Sequence, residues 1–252
     1  METQPQFGIC PLGIVPMRAE ASDKAEMVNQ LLYGELLEVV ECQKKWSYVR
    51  LGHDQYEGWI DNKQYQPITA QQWEEYQSAS AQLSNEFMEM IDTGAGWLSI
   101  PLGSRVDTAR LMGHQYGGQI LEGTQQKSSL IDTALMYMHA PYLWGGRSPF
   151  GIDCSGFTQM CYRIGGHQLL RDASQQATQG DALSFIEESE PGDLAFFDNE
   201  EGNIIHVGIM LEDNHIIHAH GKVRIDRIDH TGIFNSDTEQ HSHKLRVIKR
   251  IL

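Results

Sequence analysis

Apolar and polar positions alternate over short runs at 8–15, 35–42, 47–51 and 57–60, each closed by turn residues, and this pattern predicts a small all-β module over residues 1–68. Residues 69–123 carry no sustained period. A helical turn at 71–76 and a strand at 97–102 ended by proline are the most that can be read there, so the stretch is a connector or a degenerate second β-module. From 124 the pattern changes. Leu130, Ile131, Ala134, Leu135 and Met138 share one face of a predicted helix over 129–139, which Pro141 stops. A glycine-rich passage, 142–153, then leads into a second helical pattern over 155–164, with Phe157, Met160, Cys161 and Ile164 on one side. Glu190-Pro191-Gly192-Asp193 reads as a turn feeding an apolar run at 194–197, and β-like runs follow at 206–211, 215–219, 222–228 and 244–252. Helices first and antiparallel strands afterwards predict an α+β domain over 124–252.

The chain has 252 residues, ample for a packed core without staples. Its net charge of −15 argues against nucleic acid and anionic membrane surfaces, which select basic faces, and favours a small or cationic ligand. Cys10, Cys42, Cys154 and Cys161 show neither zinc-site nor redox spacing and read as reduced thiols. Residues 1–6 contain no basic residue followed by an apolar run, and no stretch approaches the roughly 18 apolar residues of a membrane span. The location expected from this is cytoplasmic, or periplasmic or extracellular if a leader has been removed.

The chemistry concentrates at Cys154. It sits at or next to the start of the second predicted helix, where unpaired N–H groups and the positive dipole end stabilise a thiolate and make ionisation near neutral pH the expectation. A lone cysteine is otherwise most simply a small buried hydrophobe, but this one is dressed in glycine and polar residues. A cysteine nucleophile needs a base, and the base a polar partner. His206 heads one predicted strand, and His218 and His220 lie on the same face of the next, so spacing leaves the choice between them open. Asp153 is expected to cap the Cys154 helix, Asp193 to serve its turn, and 187–190 to be a solvated acidic loop. The histidines His215, His218, His220, His241 and His243 raise a catalytic metal as an alternative, but no further ligand set has recognisable spacing, and no metal or other cofactor is expected.

Asp153-Cys154-Ser155-Gly156-Phe157, His206-Val207-Gly208-Ile209 and Ile217-His218-Ala219 together resemble the three-part signature of the NlpC family of papain-like cell-wall peptidases. Gly34-Glu35, Trp46-Ser47-Tyr48-Val49 and Gly58-Trp59-Ile60 resemble the bacterial SH3-like domain. The resemblance implies Cys154 as nucleophile, His206 as base and His218 as the orienting member, with Tyr142 and the Cys154 N–H stabilising the oxyanion. With Trp144-Gly145-Gly146-Arg147-Ser148 before the cysteine and Arg171-Asp172 after it, the chain is similar to the γ-D-glutamyl-L-diamino acid endopeptidases, or dipeptidyl-peptidases VI. That branch implies an SH3-like roof over the cleft and release of L-Ala-γ-D-Glu from a murein tri- or tetrapeptide with a free amine; with a cytoplasmic location, the expected role is peptidoglycan recycling. Asp172, Ser155, Trp144, Asp153, Tyr56 and Glu26 are its implied substrate contacts. Ala173 stands where a serine is expected for the D-Glu carboxylate. The implied assembly is a monomer of an SH3-like module (1–68), a connector or degenerate second such module (69–123) and the NlpC-type domain (124–252). A non-catalytic wall-peptide binder and an amidase or acyltransferase of the same superfamily are the rival readings.

Overall fold

The computed structural model describes residues 6–252, so the first five positions of the predicted 1–68 module lie outside the described residues. The chain divides into two units. One runs through Gly123 and takes back Trp144–Pro149; the other joins Thr124–Leu143 to Phe150–Leu252.

The first unit is built on an antiparallel seven-stranded sheet. Its strands are β1 (Phe7–Ile9), β2 (Ile14–Arg18), β3 (Met27–Leu32), β4 (Leu36–Cys42), β5 (Trp46–Leu51), β6 (Glu57–Asp61) and β7 (Gln66–Ile68), in the order β3-β2-β6-β5-β4-β1-β7. The run expected over 8–15 is two strands, because Pro11 lacks an N–H to donate and Gly13 passes so near Ser99 that a Cβ would stand 2.3 Å from the Ser99 carbonyl oxygen. Alternation in β5 sends Ser47, Val49 and Leu51 inward, with Ile60 of β6, and leaves Trp46 and Trp59 half-buried on the outer face, where Trp59 packs on Tyr48. The tryptophans are therefore not the centre of this core. Strand β3 escapes the apolar pattern because Asn29 and Gln30 are buried in its middle; Gln30 Oε1 accepts the Arg147 N–H at 2.8 Å.

The rest of this unit comprises α1 (Ala70–Ser78), β8 (Leu83–Ser84), β9 (Met88–Asp92), β10 (Trp97–Pro101), β11 (Ile120–Leu121) and the returning β12 (Arg147–Ser148). Thr69 and Gln72 close a capping box that starts α1. The β9–β10 hairpin places Ile91 and Ile100 in a second cluster with Tyr33, Val106 and Ala109. Arg147, fully buried, forms a forked pair with Glu35, Nη1–Oε2 and Nη2–Oε1 both 3.1 Å.

The second unit contains α2 (Lys127–Met136), β13 (Gly151–Ile152), α3 (Cys154–Ile164), α4 (Ala173–Gln176) and β14 (Asp181–Ala182). After them come β15 (Leu194–Asp198), β16 (Ile204–Met210), β17 (His215–His220), β18 (Lys222–Ile228), β19 (Gly232–Asn235) and β20 (Gln240–Arg250). These strands run β14-β20-β15-β16-β17-β18-β19, all antiparallel, and an added β19–β20 pairing closes β15 to β20 into a ring with protected edges. Ala195, Phe197, Met210, Ile216, Ile228, Ile233 and Ile248 fill one cluster of its core. Helix α3 packs against β16, β17 and α2. The architecture is α+β, with an all-β sheet in the first unit and helices beside an antiparallel sheet in the second.

Candidate active site

Cys154 is the first residue of α3, as the break in periodicity at the glycine-rich passage requires. Asp153 is its N-cap, with Oδ1 accepting the Gly156 N–H at 2.6 Å. The same carboxylate is forked by Arg171, Nη1–Oδ1 3.0 Å and Nη2–Oδ2 2.6 Å, and Arg171 Nη1 also donates to Ser155 Oγ at 2.9 Å. Arg171, Asp153 and Ser155 are all buried, so this corner is one rigid, charge-compensated support under the cysteine.

The expectation of a readily ionised thiol is corrected. Cys154 is only 6% exposed, and burial, followed by the nearby Asp153 carboxylate, pushes its pKa up to about 12. Backbone N–H groups of Val207 and Ser155 on the sulfur, and the Arg171 guanidinium, act in the opposite direction without overcoming it. The helix end is present, but desolvation outweighs it, and the resting thiol is protonated. The contact with Val207 fixes the sulfur beside the residue that follows His206 on β16.

His206 Nε2 lies 2.8 Å from His218 Nδ1, and His218 Nε2 lies 2.9 Å from Asp226 Oδ2. The hairpin register pairs Ile209 with Ile217 and Met210 with Ile216, which brings the two imidazoles onto one face at nearly perpendicular ring planes. The choice left open by spacing is settled geometrically: His218 takes the His206 nitrogen, whereas the exposed His220 has its ring centroid 6.4 Å from that of His206. Burial, then the neighbouring His218, His243 and His220, drives the His206 pKa well below its ordinary value. Burial also lowers His218, against the raising effect of Asp226. Both rings are neutral at rest.

Tyr142 is half-buried and its hydroxyl is pushed up to about 12 by burial and then by Cys154 and Asp153, so it stands in the field of the thiol as a neutral donor. Asp172 is half-buried at the N-cap of α4, where its N–H donates to Gln175 Oε1 at 3.1 Å. Ala173, the position where a serine was expected, begins α4 and is buried. The other three sequence-derived residues lie in the first unit. Trp144, 58% exposed, donates from Nε1 to Glu26 Oε1 at 2.6 Å, and Tyr56 packs against the Val49–Leu51 core.

Sequence reasoning gave three residues no part in the cysteine–histidine site. In the sequence Arg171 stands out only as part of a motif, although an arginine directly before Asp172 is a signal for a buried pair. Asp226 stands in the otherwise β-forming run Lys-Val-Arg-Ile-Asp-Arg-Ile, where a buried acid needs a partner. His243 stacks on His206 with ring centroids 4.1 Å apart and planes 23° apart. Of the histidines weighed as metal ligands, His218 has both nitrogens engaged and His241 pairs with Asp229 at 3.0 Å. Among the described residues no group of three or more His, Cys, Asp or Glu is arranged around a common metal position. No helix among them is long and apolar enough to cross a membrane.

A cysteine at a helix start, a histidine pair on the adjoining hairpin and an antiparallel sheet define the class: the chain carries an NlpC/P60 family domain, matched over residues 139–241, behind a bacterial dipeptidyl-peptidase SH3 domain, matched over 17–64. Among curated relatives it is 35% identical over 130 residues to a "Gamma-D-glutamyl-L-lysine dipeptidyl-peptidase" of Bacillus cereus, covering 51% of this chain and 39% of that protein. It is 39% identical over 101 residues to the Bacillus subtilis protein of the same name, covering 38% of this chain and 34% of that one. A "Dipeptidyl-peptidase 6" of Lysinibacillus sphaericus is 27% identical over 236 residues, with 80% of this chain and 83% of that protein covered. The matched stretch thus spans little more than a third of the first two relatives. The fold is that of an NlpC/P60 family protein crystallised from Bacillus cereus, with a TM-score of 0.77 at 19% identity over 98% of this chain and 99% of that one.

Proposed function

We propose that the chain is a cysteine peptidase that hydrolyses the bond between the γ-carboxyl of D-Glu and the L-diamino acid of murein peptides, releasing L-Ala-γ-D-Glu. The observation that carries this reading is Cys154 at the start of α3 with its sulfur held by the Val207 N–H, one residue from an imidazole pair joined at 2.8 Å. The names of the relatives support the bond cleaved.

In this reading the neutral thiol gives its proton to His206 as sulfur attacks the carbonyl carbon, so that the C–S bond and the imidazolium form together. The oxyanion is met by Tyr142 and the backbone N–H of Cys154 at the start of α3. Collapse breaks the C–N bond as His206 passes its proton to the leaving amine. Water activated by the same imidazole then hydrolyses the thioester and restores the thiol. Asp172 offers the substrate's N-terminal ammonium a carboxylate, a charge-assisted bond that an acylated substrate cannot make. Recycling of wall-derived peptides in the cytoplasm belongs to the same proposal.

The test is mass spectrometry of products from L-Ala-γ-D-Glu-L-diamino acid tri- and tetrapeptides, each with an N-acetylated twin, using Cys154→Ala as control. Release of L-Ala-γ-D-Glu from the free peptides alone is expected; cleavage elsewhere, or equal rates for the acetylated twins, overturns the assignment. Transfer of the acyl group to an added amine instead of water would mark an acyltransferase. One observation, the buried and protonated sulfur, favours a second reading as a non-catalytic peptide binder. Saturable binding of the same peptides without turnover, measured calorimetrically, would select it.

A further inference from the structure

Beyond the two histidines, the hydrogen-bonded chain continues to Asp226 and Arg224, and its order has a chemical direction. Asp226 is buried, with its carboxylate 2.9 Å from His218 Nε2. Arg224 Nη2 donates to Asp226 Oδ1 at 2.8 Å and its Nε stands 2.7 Å from Oδ2, while Nη1 pairs with Asp237 at 2.8 Å. Burial alone would raise the Asp226 pKa, but the hydrogen bonds from His218 and Arg224 outweigh it and hold the group below the usual carboxylate range. Asp226 is therefore an anion, able only to accept.

A neutral imidazole has one donor and one acceptor nitrogen. Two imidazoles in series, as here, satisfy one another equally well in two directions: proton on His206 Nε2 and lone pair on His218 Nδ1, or the reverse. Only the first leaves a lone pair on His206 Nδ1. The reverse puts an N–H there and leaves His206 without a free site for the thiol proton. An anion at the far end removes the ambiguity, because it requires a proton on His218 Nε2, hence a lone pair on His218 Nδ1, a proton on His206 Nε2 and a lone pair on His206 Nδ1. The other titratable groups facing this pair are His243, stacked on His206, and the exposed His220, whose ring lies 6.2 Å from that of His218. Neither makes a hydrogen bond to either ring among the described residues, so neither competes for the tautomer.

We propose that Asp226, clamped by Arg224, is a positioning residue that fixes the tautomers of His218 and His206 in series and so keeps His206 Nδ1 open to receive the proton of Cys154. This rests on the peptidase reading, yet its first consequence is a state of the resting protein that is readable without turnover.

The experiment is two-bond ¹H–¹⁵N correlation of the histidine rings in the full labelled chain near neutral pH, with the His206 signals assigned by loss in His206→Gln. The wild type should show His206 as the Nε2–H tautomer. In Asp226→Asn, whose amide can donate, that signature should reverse or become mixed. Peptide hydrolysis should then fall about 10–100-fold in kcat, with KM little changed, and Asp226→Glu should restore both readouts. A wild-type His206 protonated on Nδ1 overturns the proposal even if the asparagine variant fails to fold. So does a folded Asp226→Asn with the wild-type tautomer and wild-type kcat. A wild type with the expected tautomer but no hydrolysis instead refutes the peptidase reading and leaves the relay standing.

Discussion

Gly208 stands against His218: a Cβ built on the glycine would lie 2.9 Å from His218 Cβ and 2.7 Å from Ile216 Cδ1. The missing side chain lets β16 and β17 carry a full imidazole between them. His218 therefore reaches His206 because the residue two positions after His206 has nothing to put in its way.

Gly208→Ala should therefore act on geometry before it acts on fold. The methyl must displace the Ile216 side chain and the Cβ of His218, and with that Cβ the ring it carries, and overpacking of this kind costs about 1–3 kcal/mol. A shift of the ring by about 1 Å can cost on the order of 10²-fold in rate. Thermal unfolding together with kcat on the tripeptide checks this, and a variant with wild-type kcat would show that the close contact does not position His218.

The thiol's pH response follows from its burial. With the Cys154 pKa pushed up to about 12, the thiolate fraction is small at neutral pH and grows with each unit of rising pH. Alkylation of Cys154 by iodoacetamide, followed by peptide mapping from pH 5 to 10, should climb throughout the range. A plateau reached below pH 7 would reveal a preformed thiolate–imidazolium pair instead, and would contradict a neutral resting site.

How much of this was legible beforehand follows from which interactions are local. Alternation revealed β4, β5 and β6, and a helical period located α3, because burial on one face writes itself into neighbouring positions. Strand β3 was hidden because buried Asn29 and Gln30 spend their polarity on hydrogen bonds, and β19 because four residues hold too little pattern. Cys154, His206 and His218 were found through their motifs. Asp226 and His243 were not, since their relation to His206 exists only once β17, β18 and β20 are paired. The helix-end argument for an acidic thiol failed because a sequence shows where a helix begins but not how much solvent remains there.

Acid should destabilise the fold earlier than carboxylate titration alone would. His206 and His218 are held below the ordinary imidazole value, mainly by burial, and His243 falls to about 4. Below about pH 6.5 the unfolded chain binds protons that these folded rings refuse, so unfolding becomes easier as pH falls. This contribution is complete near neutrality and declines through the window from about 6.5 toward 4. Asp54 and Asp226, both lowered in the fold, extend the loss in the same direction at more acid pH. Urea midpoints at pH 7.5, 6 and 5 should drop in sequence, with a shallower drop in His243→Phe. Equal midpoints would mean that the rings titrate normally.

The Asp153–Arg171 pair offers a sharper test, because its two ends have unequal consequences. Both side chains are nearly inaccessible and bond in a fork, so removing Arg171 leaves a buried carboxylate without its principal cation. Breaking such a pair from one side costs about 3–5 kcal/mol, whereas replacing both members by apolar groups of similar volume can be close to neutral. Arg171→Met should therefore destabilise strongly, and adding Asp153→Leu should recover much of the loss, less the cap that Asp153 gives α3 through Gly156, worth about 1 kcal/mol. Function should not follow stability: the double variant loses both the cap and the Ser155 contact under Cys154, and its kcat should stay low while its unfolding midpoint returns. Chemical denaturation and kcat on the same four proteins of the cycle separate these effects. Additive losses in stability would show that the two side chains do not depend on each other.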